Sequence, residues 1–127
     1  MQLSHFNANQ LNTFFIALRE VETGGELEPM TAIGSHGELG PFQITHDYFV
    51  DSGVEGDYEE VCTTIEGSVK VMLAYWQRYA SHKPTLEELA RLHNGGPKGP
   101  EKESTKSYWD KVNTKMGYIN KQQGKLL

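Results

Sequence analysis

One carboxylate, Glu22, has the position along the chain that a catalytic acid requires. It follows Leu11 by eleven residues and Leu18 by four, and both spacings place it on the apolar face of a predicted helix. Near the end of that helix it loses hydration and lies by the negative end of the helix dipole, and both effects favour the protonated acid. Such an acid can give its proton to the leaving oxygen of a glycosidic bond. The alternative is that Glu22 only borders the core and turns outward to water, as most acids do.

A glycine-rich segment follows this helix and closes on Gly40-Pro41-Phe42-Gln43-Ile44. Glycines let a backbone approach an extended polymer, and Ser35 and Gln43 offer hydrogen bonds to sugar hydroxyl or acetamido groups. Ordinary turn chemistry explains the same glycines. Spacing alone does not separate the two interpretations.

Three other kinds of site receive no support from the sequence. The histidines at positions 36, 46, 82 and 93 have no metal-like grouping, so we expect neither a metal nor a cofactor. Cys62 is the only cysteine, which excludes an intrachain disulfide and favours a buried thiol. Gly34-Ser35-His36-Gly37 lacks the Gly-x-Ser-x-Gly pattern of a serine hydrolase.

Hydrophobic periodicity and capping residues predict a mostly helical chain. The first helix is predicted from the spacing of Leu11, Phe14, Phe15, Leu18 and Val21, with Asn7 or Asn9 as its cap and Gly24-Gly25 as its end. Residues 26–40 have no sustained period, so we predict a loop or a small hairpin there. A short helix is predicted from Thr45 through Val50, ended by Ser52-Gly53, and a long one is opened by Thr63 and Glu66 and reaches Tyr79. The next helix is opened by Thr85 and Glu88 and ended by Gly95-Gly96. A last helix is predicted from Thr105 towards Ile119, with Gly117 as its weak point.

Length and composition describe a small globular protein. With 127 residues, the chain is predicted to form one domain over 1–127, mainly α (α+β), with an irregular or β-hairpin segment near residues 26–40. The net charge of −5 argues against nucleic-acid binding and against strong attraction to anionic membranes. We expect a monomer. The first residues lack the basic and apolar regions of a secretory signal, so we expect synthesis in the cytoplasm.

An ordered set of sequence blocks resembles the invertebrate-type lysozymes. The resemblance covers about residues 18–112, and its blocks are VETGG, AIGSHGELGPFQI, YFVDSG, YWQRYA, RLHNGGPKG and YWDKV. The pair ETGG and GPFQI is also similar to the Glu-Ser-Gly and Gly-Leu-Met-Gln blocks of bacterial lytic transglycosylases.

The resemblance implies a lysozyme-like fold and cleavage of peptidoglycan between N-acetylmuramic acid and N-acetylglucosamine. The catalytic glutamate of the family falls on Glu22, and Gln43 falls on a sugar contact. His93 and Asn94 match the His-Asn-Gly-Gly-Pro block that borders the cleft in the family. A plain helix end, with Asn94 and Gly95 in the turn, is the alternative for that block.

The chain departs from the family pattern in two ways. Invertebrate lysozymes are disulfide-rich, whereas the single cysteine here indicates a bacterial or phage relative, acting on the wall after release or within a virion. The second acid of the family, an aspartate shortly before the Gly-Ser pair, is missing from Thr31-Ala32-Ile33-Gly34-Ser35. A single-glutamate hydrolase, a lytic transglycosylase and a noncatalytic glycan-binding or virion module therefore stay open.

Overall fold

The computed structural model describes residues 1–24 and 28–126, with the backbone alone described at position 29 and at positions 124–126. Most of these residues are helical, as predicted. Within the described ranges the α-helices are α1 (Ala8–Thr23), α2 (His46–Ser52), α3 (Tyr58–Cys62), α4 (Ile65–Tyr79), α5 (Leu86–Gly95) and α6 (Lys106–Leu126). Single 3-10 turns occur at Pro29–Thr31, Gly99–Glu101 and Glu103–Thr105.

The chain divides into two compact units, each with its own buried side chains. The terminal unit comprises Met1–Val21 and Ala80–Leu127, and the central unit comprises Glu22–Tyr79. Buried apolar residues of the terminal unit are Phe14, Ala17, Leu18, Leu89, Ala90, Leu92, Tyr108 and Val112. Those of the central unit are Phe42, Ile44, Phe49, Cys62, Val71, Met72, Tyr75 and Trp76. One domain over residues 1–127 stays a prediction.

In the central unit, α2 and α3 pack against α4 and against each other. The short helix predicted after Thr45 is confirmed, because the Thr45 hydroxyl accepts a hydrogen bond from the Tyr48 amide at 3.1 Å. Gly53 ends α2 with a φ of 76°, a left-handed conformation that suits glycine.

The predicted start of α4 is wrong by one residue. The Thr64 hydroxyl, not that of Thr63, accepts from an amide of the first turn, that of Gly67, at 3.0 Å. Thr63 instead ends the five-residue helix α3, which the sequence analysis missed and which Asp57 caps by accepting from the Glu60 amide at 3.0 Å. Because α3 must end before α4 begins, the second threonine is left to cap α4.

In the terminal unit, α5 packs against α6 and against the two 3-10 turns between them. The predicted cap of α5 is confirmed, since the Thr85 hydroxyl accepts from the Glu88 amide at 3.1 Å. The last helix extends farther than predicted, to Leu126. The predicted weak point, Gly117, therefore does not end the helix. A Cβ there would meet nothing within 4 Å, so no close contact requires a glycine at this position.

No helix in the described part of the chain combines the length and apolarity needed to span a membrane.

Candidate active site

Glu22 lies in the last turn of α1, one residue before the helix ends. Asn7 is the cap: its side chain accepts from the Gln10 amide at 2.7 Å, and the Gln10 side chain accepts from the Asn7 amide at 2.8 Å. The buried stripe Thr13, Phe14, Ala17 and Leu18 leads to Glu22, which is half-buried. The predicted helix is therefore confirmed, and Glu22 borders its buried stripe. The Gly25 part of the predicted helix end lies outside the described residues.

Tyr48 lies in the electrostatic field of Glu22. Burial is the main cause that raises the pKa of Tyr48 well above its ordinary value, and Tyr75 and then Glu22 add to the shift. The Tyr48 ring stacks on the Tyr75 ring, with centroids 3.9 Å apart and an interplanar angle of 16°. Glu22 is thus accompanied by a phenol that stays neutral through the physiological pH range. Sequence analysis missed both tyrosines. The one local signal for Tyr48 was its place in the first turn of α2, three residues after the cap Thr45.

The tyrosine stack is fixed from its far end. The Tyr75 and Tyr79 ring centroids lie 5.0 Å apart, and the Tyr79 hydroxyl donates to Asp51 Oδ2 at 2.6 Å. Arg78 Nη1 lies 3.1 Å from Asp51 Oδ1. The hydrogen bond to Asp51 is the largest cause that raises the pKa of Tyr79. These contacts hold the Tyr75 ring, on which Tyr48 stacks, in one orientation.

The glycine-rich segment is irregular rather than a regular hairpin. Isolated antiparallel bridges join Ile33 to Leu39 and Leu39 to Ile44, and no named strand occurs among residues 28–44. Positions 26–27 of the predicted loop or hairpin lie outside the described residues. Ser35 and His36 are exposed at the tip of the 34–37 turn, with Ser35 Oγ 3.1 Å from His36 Nδ1.

Gln43, a predicted sugar contact, uses its amide nitrogen within the protein. Its Nε2 donates to the Gly40 carbonyl at 2.9 Å and to the Ala32 carbonyl at 3.3 Å. Its φ is 52°, a left-handed value that few residues other than glycine adopt without strain. Its Oε1 faces Gly34, where an added Cβ would lie 2.6 Å from it.

The Glu38 carboxylate also lies beside Gly34. Its Oε1 accepts from the His36 amide at 2.7 Å, and a Cβ at Gly34 would lie 2.5 Å from its Oε2. Behind Glu38, the Tyr58 hydroxyl donates to the Ile44 carbonyl at 2.5 Å. Burial, followed by the charges of Cys62 and Glu38, raises the pKa of Tyr58 to about 12. The structure thus brings Ser35, Glu38 and Gln43 together around one turn.

His93 and Asn94 belong to the terminal unit and lie in the last turn of α5. His93 is buried, whereas Asn94 is exposed. Gly96 follows with a φ of 83° and donates its amide to the Leu92 carbonyl, so the predicted helix end is confirmed. Of these two predicted contacts, Asn94 is the one whose side chain is presented to solvent.

A buried guanidinium organises the segment that follows α5. Arg91 donates to Thr105 Oγ1, to a Glu87 carboxylate oxygen and to the Lys102 carbonyl, each at 2.8 Å. The Thr105 hydroxyl lies 2.6 Å from the Gly99 carbonyl, to which it donates. Sequence analysis missed this network, and its one local signal was the four-residue spacing of Glu87 and Arg91.

Among residues 1–24 and 28–126, no group of three or more His, Cys, Asp or Glu side chains could hold a metal ion. Cys62 is buried, as predicted, and burial raises the pKa of its thiol to about 11. A thiol with that pKa is protonated at neutral pH and makes a poor nucleophile.

No family model matches the sequence. A lysozyme of Ostrea edulis is 38% identical over 85 residues, which make up 64% of this chain and 62% of that protein. A lysozyme of Magallana gigas is 33% identical over 97 residues, which make up 69% of this chain and 71% of that protein. The match thus spans less than two thirds of the Ostrea edulis protein. The crystal structure of Tapes japonica lysozyme superposes with a TM-score of 0.70 at 31% identity, covering 79% of this chain and 85% of that one.

Proposed function

The chain belongs to the invertebrate-type lysozyme family, and on that basis we propose that it is a muramidase that cleaves peptidoglycan between N-acetylmuramic acid and N-acetylglucosamine. One observation carries the assignment of the acid. Glu22 is half-buried in the last turn of α1, one turn after the buried Leu18, and a neutral tyrosine accompanies it.

Glu22 acts as the general acid in this proposal. Its carboxyl group gives a proton to the glycosidic oxygen as the bond to the anomeric carbon breaks, so the leaving sugar departs as a neutral alcohol. Positive charge then develops on the ring left behind, and the Glu22 carboxylate remaining after proton transfer stabilises it. Tyr48 adds no competing charge because its raised pKa keeps the phenol protonated.

The mechanism proceeds with one catalytic carboxylate. The aspartate of the family pattern is absent from residues 31–35 of this chain. Water can attack the anomeric carbon directly, and Glu22 then serves as its base. Alternatively, a hydroxyl of the same sugar can attack, which leaves an anhydro ring and defines a lytic transglycosylase. The absent aspartate favours this second candidate as much as the first.

Four further residues are proposed to bind the glycan: Ser35, Gln43, His93 and Asn94. The exposure of Ser35 and Asn94 supports direct contact with sugar hydroxyl or acetamido groups. Gln43 donates its Nε2 to two backbone carbonyls, so the proposed contact with the glycan falls to its Oε1, which lies beside Gly34. His93 is buried, so its proposed contribution is to shape the end of α5 that presents Asn94.

We also propose that the protein is a bacterial or phage relative that acts as a monomer on the cell wall, after release from the cell or within a virion. The single cysteine supports this proposal, because the fold needs no oxidising compartment to form.

Mass spectrometry of the products formed from purified peptidoglycan tests the reaction. We expect fragments with free reducing ends, each carrying one added water. Anhydro ends, one water lighter, would assign a lytic transglycosylase instead. No new ends, with the glycan still retained by the protein, would assign a noncatalytic binding module.

A further inference from the structure

The 34–37 turn is closed by two backbone hydrogen bonds at its ends. The Gly34 amide donates to the Glu38 carbonyl at 2.8 Å, and the Gly37 amide donates to the Gly34 carbonyl at 3.1 Å. Gly37 has a φ of 83°, which only glycine adopts readily. Neither bond involves the two residues between them, Ser35 and His36, which are exposed.

Glu38 supplies the missing restraint. Its Oε1 accepts from the His36 amide at 2.7 Å, so the carboxylate fixes the backbone at the tip of the turn. Its side chain is only 24% exposed, whereas that of His36 is 87% exposed. The carboxylate is therefore held mostly against the turn, where its Oε1 also lies 3.9 Å from His36 Nδ1.

Gln43 holds the same turn from the other side. Its Nε2 donates to the carbonyls of Ala32 and Gly40, the residues on either side of the 33–39 loop. Its left-handed backbone is strained, and such strain persists where the surroundings hold it in place. Here, the Gln43 and Ile44 amides donate to Gly40 and Leu39 at 3.1 Å and 3.0 Å.

The two side chains meet over the α-carbon of Gly34. A Cβ at that position would lie 2.5 Å from Glu38 Oε2 and 2.6 Å from Gln43 Oε1. A larger side chain at Gly34 would therefore displace the ends of the Glu38 and Gln43 side chains from their present positions.

We propose that Glu38 and Gln43 are positioning residues: together they clamp the 34–37 turn and so place Ser35 for contact with the glycan, and Glu38 does not supply the second catalytic carboxylate. This inference rests on the proposed function. A nucleophilic carboxylate needs an oxygen directed at the anomeric carbon. One oxygen of Glu38 is bound to the His36 amide, and the other packs against Gly34.

A pair of substitutions separates positioning from catalysis, because glutamine keeps the acceptor oxygen and loses the charge. Glu38→Gln still accepts from the His36 amide, whereas Glu38→Ala does not. Steady-state cleavage of soluble glycan fragments gives kcat and KM, and amide hydrogen exchange at His36 and Gly37 reports on the turn. Glu28→Ala is the control, since Glu28 is an exposed acid of the neighbouring segment.

For a positioning residue, we expect Glu38→Gln to stay within about threefold of the parent kcat/KM. Glu38→Ala should lose about tenfold, mostly through a higher KM, which matches the loss of one hydrogen bond to a charged group. Exchange at His36 should accelerate in the alanine variant only, and Glu28→Ala should resemble the parent in both measurements.

Two results would overturn the inference. If both Glu38 variants lost about a hundredfold in kcat while His36 stayed protected, the carboxylate charge would be catalytic. If Glu38→Ala matched the parent in KM and in amide exchange, the clamp would be unnecessary. Should the parent protein itself cleave nothing, the proposed function fails, and amide exchange still decides whether Glu38 holds the turn.

Discussion

Two glycine-rich segments, residues 32–44 and residues 95–105, differ in where their polar side chains are directed. In the later segment, a buried guanidinium reaches inward to Thr105, Glu87 and the Lys102 carbonyl. Gly99 is packed so closely that a Cβ there would lie 1.9 Å from the Arg91 carbonyl oxygen. In the earlier segment, the exposed Ser35 and His36 lie at the tip of a turn that half-buried side chains support.

From this difference we expect the later segment to stabilise the fold and the earlier one to present groups to the proposed ligand. Full pairing of buried polar groups adds stability and leaves nothing for a substrate. The earlier segment differs, because it holds Gln43 in a strained left-handed conformation beside an exposed turn. Backbone strain of this kind is concentrated at functional sites. Substitutions in the two segments should therefore change different measured quantities.

The largest effect on stability is expected from Arg91→Leu. It removes three hydrogen bonds from a side chain that is 9% exposed and leaves the Lys102 carbonyl without its charged donor. We expect the free energy of unfolding to fall by about 3 kcal/mol in denaturant titrations. Arg78→Leu, which removes a side chain that is 58% exposed, should cost less than about 1 kcal/mol. Equal losses for the two arginines would contradict a structural role specific to Arg91.

A smaller loss of stability is expected from Gln43→Glu. The change keeps the size of the side chain but removes both donors to Ala32 and Gly40 and brings a second carboxylate to Glu38. We expect a loss of about 2 kcal/mol, together with weaker glycan binding. The matched control is Gln77→Glu on the exposed face of α4, which should stay within about 0.5 kcal/mol. An unchanged Gln43→Glu variant would show that the amide nitrogen does not hold the loop.

The local parts of this structure followed from the sequence. The apolar spacing predicted α1, with Asn7 as one of two candidate caps and Gly24 at its end, and Thr45 and Thr85 were recognised as caps. The caps depend on residues within about one helical turn of one another, and the apolar spacing of α1 is a period repeated along a single helix. The mainly helical, lysozyme-like fold is also confirmed.

Apart from the short helix α3, the main missed features join residues that are distant in the sequence. Tyr48 stacks on Tyr75, and Arg91 binds Thr105, yet no periodic pattern relates the members of either pair. The clamp over Gly34 depends on a left-handed glutamine, which sequence preferences argue against. Such contacts are set by tertiary packing, so local rules do not reveal them.

The smallest change in stability is expected at Thr13, whose buried hydroxyl is an exception to the pairing of buried polar groups. The Thr13 hydroxyl has no hydrogen-bond partner among the described residues, although Thr13 is 1% exposed. Thr13→Val replaces it with a methyl group of similar shape and should raise the free energy of unfolding by about 1 kcal/mol. Thr105, equally buried but bonded to Arg91, provides the contrast, because Thr105→Val should lower it by about 2 kcal/mol. If both valines shifted stability in the same direction, the distinction between paired and unpaired hydroxyls would be wrong.

The most direct test of the central claim compares two acids of the same helix. Glu22→Gln removes the proposed proton donor, whereas Glu20→Gln changes a residue that pairs with Lys115 at 3.6 Å. On purified peptidoglycan, we expect Glu22→Gln to lose about 10²- to 10⁴-fold in cleavage rate, with thermal stability close to that of the parent. Glu20→Gln should stay within about threefold of the parent rate, because loss of an exposed ion pair does not affect the chemistry. A loss below about tenfold for a folded Glu22→Gln variant would contradict its assignment as the general acid.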